Sequence, residues 1–112
     1  MSSFSEKGLL GELEQLVLLA TQHLGADGYA VSIRDEIEAR TGIALGRSTI
    51  YVTLERLDRK GYLRTWYGEP TPERGGKAKR CVKVTAAGER ALAAAATAIA
   101  RMRAARPQRL AR

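Results

Sequence analysis

The segment Arg47–Leu63, RSTIYVTLERLDRKGYL, constrains the fold more than any other part of the chain. Read as a helix, it places Ile50, Leu54 and Leu57 on one stripe, at i, i+4 and i+7. Gly61 stands at the end of that stripe, where a left-handed C-cap residue belongs. The opposite face carries Ser48, Thr49, Val52, Glu55, Arg56 and Arg59. Hydroxyls, a methyl-bearing side chain and guanidiniums together can meet both the base edges and the phosphates of a DNA major groove. A merely solvated helix face can have the same composition, so the flanking segments must decide between the two.

Upstream, the pattern predicts a first helix over about Leu9–Leu24, with Leu10, Leu13, Val17, Ala20 and Leu24 on one stripe. Leu16, Leu18 and Leu19 fall outside it, so the middle of this helix is apolar almost all round. Such a helix is buried on more than one side. In so short a chain we expect a second copy to cover one of those sides, the alternative being a helix wrapped by its own domain. Gly25-Ala26-Asp27-Gly28 reads as a turn, and a second helix follows over about Tyr29–Thr41, stopped by Gly42. After the loop Ile43–Gly46, either Ser48 or Gly46 is the expected N-cap of the Arg47 helix. Two short helices joined by a tight connection, the second with a polar outer face, form a helix-turn-helix pattern.

Downstream, YLRTWY and RCVKV have strand composition and flank GEPTPERGGKAK, a loop rich in proline and glycine. Thr85 is placed to cap a fourth helix, about Ala86–Ala105. The order helix-helix-helix-strand-strand-helix is that of a winged helix: mainly α with a small β-hairpin, followed by a C-terminal helix. Arg74, Lys77, Lys79, Arg80 and Lys83 lie on or beside the wing. The fourth helix carries Leu92, Ala95, Ala96, Ile99 and Met102 on one stripe, which we expect to face another chain. We divide the chain into a winged-helix DNA-binding unit (1–85), a dimerisation helix (86–106) and a basic, disordered tail (107–112).

The 112 residues suit one domain with a single core, and the formal net charge of +7 favours an anionic partner, nucleic acid before a membrane surface. No apolar run approaches the roughly 18 residues of a membrane span. Cys81 is the only cysteine, which excludes an intrachain disulfide and fits a reducing cytoplasm. The N-terminus lacks the basic segment and cleavage pattern of a signal peptide, so a cytoplasmic location is expected.

Taken together, GELEQLVLLA, GYAVSIRDEIEARTG, RSTIYVTLERLDRKGYL, YLRTWYGE and KVTAAGERAL resemble the PadR family of bacterial winged-helix transcriptional regulators. The resemblance runs from about Leu10 to Leu92, with every segment in order. It implies a homodimeric DNA-binding repressor whose third helix enters the major groove and whose wing follows the backbone or minor groove. It also implies that the C-terminal helix dimerises by packing with the partner's first helix; a single such helix resembles the short subgroup. Two positions depart from the family pattern. Cys81 and Val82 stand where the family usually has two aromatics, and Tyr29-Ala30-Val31 replaces a Tyr-Gly-Tyr pattern. The resemblance therefore does not extend to any ligand contact made by those aromatics.

These readings assign DNA contact to Arg47, Ser48, Thr49, Tyr51, Val52, Arg56, Arg59, Arg74, Lys77 and Lys79. They assign dimerisation to Leu16, Leu19, Leu92, Ala95, Ala96, Ile99 and Met102. Trp66, if it faces the dimer groove, could stack on a small hydrophobic effector; packing beneath the hairpin is the simpler role. His23 suits the C-terminal dipole of the first helix, and neither it nor Cys81 has metal-ligand spacing around it. Cys81, beside basic residues, is either an inert strand residue or a redox-sensitive thiol. No nucleophile–base set, carboxylate pair or phosphate-binding glycine loop appears, so neither an enzyme nor a cofactor is expected. Two rival readings stay open: a sensor of a small hydrophobic ligand at the dimer interface, and a winged helix used for protein–protein contact.

Overall fold

A computed structural model of the chain describes residues 9–69 and 78–105. The described elements are α1 (Glu12–Leu24), a 3-10 turn (Gly25–Asp27), α2 (Ala30–Thr41), α3 (Arg47–Arg59), β1 (Leu63–Tyr67), β2 (Arg80–Val84) and α4 (Ala86–Ala104). This is a mainly helical winged helix with one antiparallel hairpin, as the element order predicted. The wing-tip residues Arg74 and Lys77, and the tail 107–112, lie outside the described residues.

Local chemistry sets the boundaries. α1 begins after Gly11, whose extended backbone places its N–H 3.0 Å from Glu14 Oε1, and Glu12 and Glu14 favour the positive end of the helix dipole. The helix therefore starts later than the apolar pattern suggests, and Leu10 is buried just before it. At the start of α2, the Ser32 hydroxyl accepts from Tyr29 N–H and donates to the Asp27 carbonyl. Gly42, at φ 77°, ends α2 in the left-handed conformation that only glycine adopts cheaply. Gly61, at φ 79°, turns the chain out of α3 as expected.

In the hairpin, Leu63 pairs with Val84, Thr65 with Val82 and Tyr67 with Arg80. The alternate pairs, Arg64 with Lys83 and Trp66 with Cys81, share the other face. Val82 N–H also donates to the Gly28 carbonyl at 2.9 Å, so the segment before α2 continues the sheet and ties the wing to the helix-turn-helix.

One core joins these elements. Ile50, Leu54 and Leu57 of α3 share one buried cluster with Val17 and Leu18 of α1, Ile33 and Ile37 of α2, Leu63 and Val82 of the hairpin, and Leu92 of α4. Each fully buried aliphatic side chain contributes roughly 1.5–3 kcal/mol. Burial by the chain itself reaches further along α1 and α4 than their apolar patterns suggest. Leu18 is fully buried by its own chain, because α2, α3, β2 and α4 all pack on α1 and wrap it on several sides. Leu92 and Ala95 are likewise buried within the chain, leaving them little surface for a partner.

Candidate nucleic-acid interface

α3 presents a sharply two-sided surface. Its inner face is sealed by Ile50, Leu54 and Leu57, together with Thr53, whose hydroxyl donates to the Thr49 carbonyl at 2.8 Å. Its outer face exposes Arg47, Ser48, Thr49, Val52, Glu55, Arg56 and Arg59. Val52 is 52% exposed, although valine is costly to leave in water. Tyr51 sits half-buried at the flank, packed against the core.

The N-terminus of α3 adds a second chemical feature. Gly46, not Ser48, is the N-cap, and its carbonyl receives the first helical hydrogen bond, from Ile50 N–H at 3.2 Å. The amides of Arg47, Ser48 and Thr49 therefore precede any intrahelical acceptor. Among the described residues no side chain caps them, and they lie beside two exposed hydroxyls and a guanidinium. Such a terminus suits an anion. Among the described residues, Arg47, Arg56 and Arg59 form no ion pair.

The orientation of this helix is fixed at its other end by a contact the sequence did not reveal. Lys60 Nζ lies 2.8 Å from Glu14 Oε2, joining the end of α3 to the first turn of α1. Burial pushes the Glu14 carboxyl up, but the hydrogen bonds from Lys60 and from Gly11 N–H outweigh it and hold its pKa below the ordinary value. The partners are 46 residues apart, so no local pattern could signal them.

At the wing, Lys79 Nζ stands 4.6 Å from the Tyr29 ring centroid, which positions this cation against the start of α2. Further along the hairpin, Trp66 is 43% exposed and lines an open cleft of about 810 Å³ with Arg64, Cys81, Gln22 and Gly25. Trp66 is thus not a packing residue beneath the hairpin. Cys81 is half-buried there, its Sγ 3.9 Å from the Lys79 carbonyl. His23, in the last turn of α1, has its Nδ1 3.5 Å from Glu36 Oε2. Glu36 also accepts from Arg40, and this hydrogen bond holds its carboxyl below the usual range. Among the described residues no His, Cys, Asp and Glu group could hold a metal ion.

The residues assigned to dimerisation divide. Leu16 is half-buried against the core, Leu92 and Ala95 are inside it, and Ala96 is exposed. Leu19, Ile99 and Met102 are 40%, 43% and 76% exposed. No helix among the described residues is long and apolar enough to cross a membrane.

The helix-turn-helix, the hairpin beside it and the exposed face of α3 define the class of the molecule: a winged-helix transcription regulator that acts on DNA. The model of the transcriptional regulator PadR-like family matches residues 16–94, and the chain belongs to that family, whose members are regulators rather than enzymes. No curated relative matches the chain. Among solved structures, a PadR-like transcription factor from Bacteroides fragilis superposes with a TM-score of 0.67 at 23% identity, covering 81% of this chain and 82% of that one. The hsRosR-S4 complex gives 0.69 at 17% identity, covering 96% and 86%. The Aeropyrum pernix ORC1 protein, in complex with DNA, gives 0.61 at 22% identity, covering 83% of this chain but 26% of that one. These likenesses establish the fold.

Proposed function

We propose that the protein is a sequence-specific repressor that binds a pseudo-palindromic operator as a homodimer. The observation that carries this reading is the exposed face of α3, where Val52 projects among Arg47, Ser48, Thr49, Arg56 and Arg59 with no packing role. Val52 meets a thymine methyl, Arg56 and Arg59 reach guanine or phosphate, and Tyr51 donates to a phosphate. Ser48, Thr49 and the free amides beside them take a backbone phosphate. Arg74, Lys77 and Lys79 of the wing neutralise the neighbouring strand. Residues 1–85 thus bind DNA and 86–106 dimerise. The dimer seam uses Ile99, Met102 and Ala96 of α4 with Leu19 and Leu16 of α1, and a two-fold axis sets the recognition helices about 34–36 Å apart or a multiple of it. Genome-wide binding-site mapping tests the reading: it should return sites with two-fold symmetry near promoters, and scattered binding without a shared motif would contradict it.

A second role is favoured by the cleft beside Trp66. A small hydrophobic effector that stacks on this ring would couple sensing to the wing. Trp66 is the only tryptophan, so quenching of the intrinsic fluorescence reads its occupancy directly. Effectors that quench Trp66 without altering DNA affinity would separate binding from regulation.

A further inference from the structure

Arg80 lies at the joint between wing and recognition helix, where β2 begins. Its guanidinium carbon is 6.0 Å from the ring centroid of Tyr51 on α3 and 5.8 Å from that of Tyr67 on β1. Two aromatic faces from different elements thus flank one cation. Its one described hydrogen bond is a long one, Nη2 donating to Thr65 Oγ1 at 3.4 Å, and Thr65 donates in turn to Asp58 Oδ2 at 3.4 Å. Asp58 is therefore reached only through a hydroxyl, and among the described residues no carboxylate pairs with Arg80 directly.

A guanidinium has five N–H donors in a planar fork that matches phosphate. Most of those donors have no acceptor among the described residues, while ring faces hold the plane and limit its freedom. The residue is half-buried, so its charge is screened less than that of an exposed side chain such as Lys83. Tyr51, on the flank of α3, adds a hydroxyl with no described hydrogen bond.

We infer that Arg80 is the phosphate clamp that couples the wing to the recognition helix, with Tyr51 and Tyr67 as its positioning residues. The inference rests on the DNA reading above and extends it to a residue outside the exposed face of α3. With α3 in the major groove and the wing on the adjoining backbone, the joint between them faces the phosphates at the groove's edge. Arg80 grips one of these by two parallel N–H···O contacts, and so fixes the angle between helix and wing on the duplex.

The test uses the full chain and a mixed-sequence duplex about three helical turns long, over which phosphate contacts suffice for binding. Binding is measured against salt for the wild type, Arg80→Gln and Arg80→Lys, with thermal unfolding of each as the control for folding. Arg80→Gln should flatten the slope of log K against log salt by about 0.9 per bound protomer, and Arg80→Lys should retain the wild-type slope while binding several-fold more weakly. An unchanged slope in Arg80→Gln overturns the clamp and leaves the DNA reading intact. Equal flattening in both variants assigns Arg80 a packing role and also overturns it. A wild-type chain that binds no duplex contradicts the DNA reading itself.

Discussion

Gly88→Ala should destabilise the protein by about 3 kcal/mol or more, although the same change in an exposed helix stabilises by up to about 1 kcal/mol. Gly88 lies in the first turn of α4 and is buried against the hairpin entry. A Cβ added there would stand 2.0 Å from the Tyr62 carbonyl oxygen and 2.9 Å from Val84 Cγ1. The oxygen belongs to the backbone and cannot rotate away, so α4 must move outward by roughly 1 Å to restore van der Waals contact. That shift works against three hydrogen bonds that seat the helix: Thr85 N–H to the Tyr62 carbonyl at 3.1 Å, Thr85 Oγ1 to the Gly61 carbonyl at 2.6 Å, and Gly88 N–H to Thr85 Oγ1 at 3.0 Å. It also lifts Leu92 and Ala95 from the core. Urea denaturation of the variant beside the wild type measures the cost. Stability equal to or above that of the wild type would refute the reasoning, because the helix-propensity gain would then have met no opposing contact.

Three further outcomes are expected. Glu14→Gln should cost roughly 1–3 kcal/mol at neutral pH, since it leaves the Lys60 ammonium without its carboxylate. Because the folded pKa of Glu14 lies below the ordinary value of 4.5, its contribution is complete above that value and is lost as the pH falls through the folded pKa. Urea titrations should therefore show the wild type and Glu14→Gln converging at acid pH, and a constant gap would contradict the ion pair. Ile99→Glu should shift the molecule towards monomer in light scattering, because it sets a charge in the proposed apolar seam; a wild type that is already monomeric at micromolar concentration would refute that seam. Removing Lys77 and Lys79 together should flatten the salt slope of DNA binding by roughly two units per wing and weaken all sequences alike. An unchanged slope would exclude wing contacts to phosphate.

The helix-turn-helix was legible because α3 obeys the simplest rule available. One face is aliphatic at helical spacing, the other is polar, and a glycine ends it. The strands were legible from their β-branched and aromatic content, and Thr85 from its position before an alanine-rich run. What escaped the sequence depends on distant neighbours. The apolar pattern of α1 exceeds what one covering layer hides, and several elements of the same chain surround Leu18. Glu14 looked like one more acid at a helix start, and only folding brings Lys60 to it. The necessity for glycine at 88 lies in the Tyr62 carbonyl, which no local pattern predicts. The outward-facing side of α3 is legible in its polar pattern, whereas the setting of Arg80 depends on rings from two other elements.

Selection of binding sites from a random-sequence duplex pool tests most directly the central claim, that the outer face of α3 reads bases. The wild type should enrich a two-fold symmetric site with half-sites about 10–10.5 base pairs apart or a multiple of that spacing. Val52→Ala should enrich a site with weakened preference at thymine positions while keeping the same spacing. A wild-type selection that enriches no sequence, or a Val52→Ala selection indistinguishable from it, would contradict the claim.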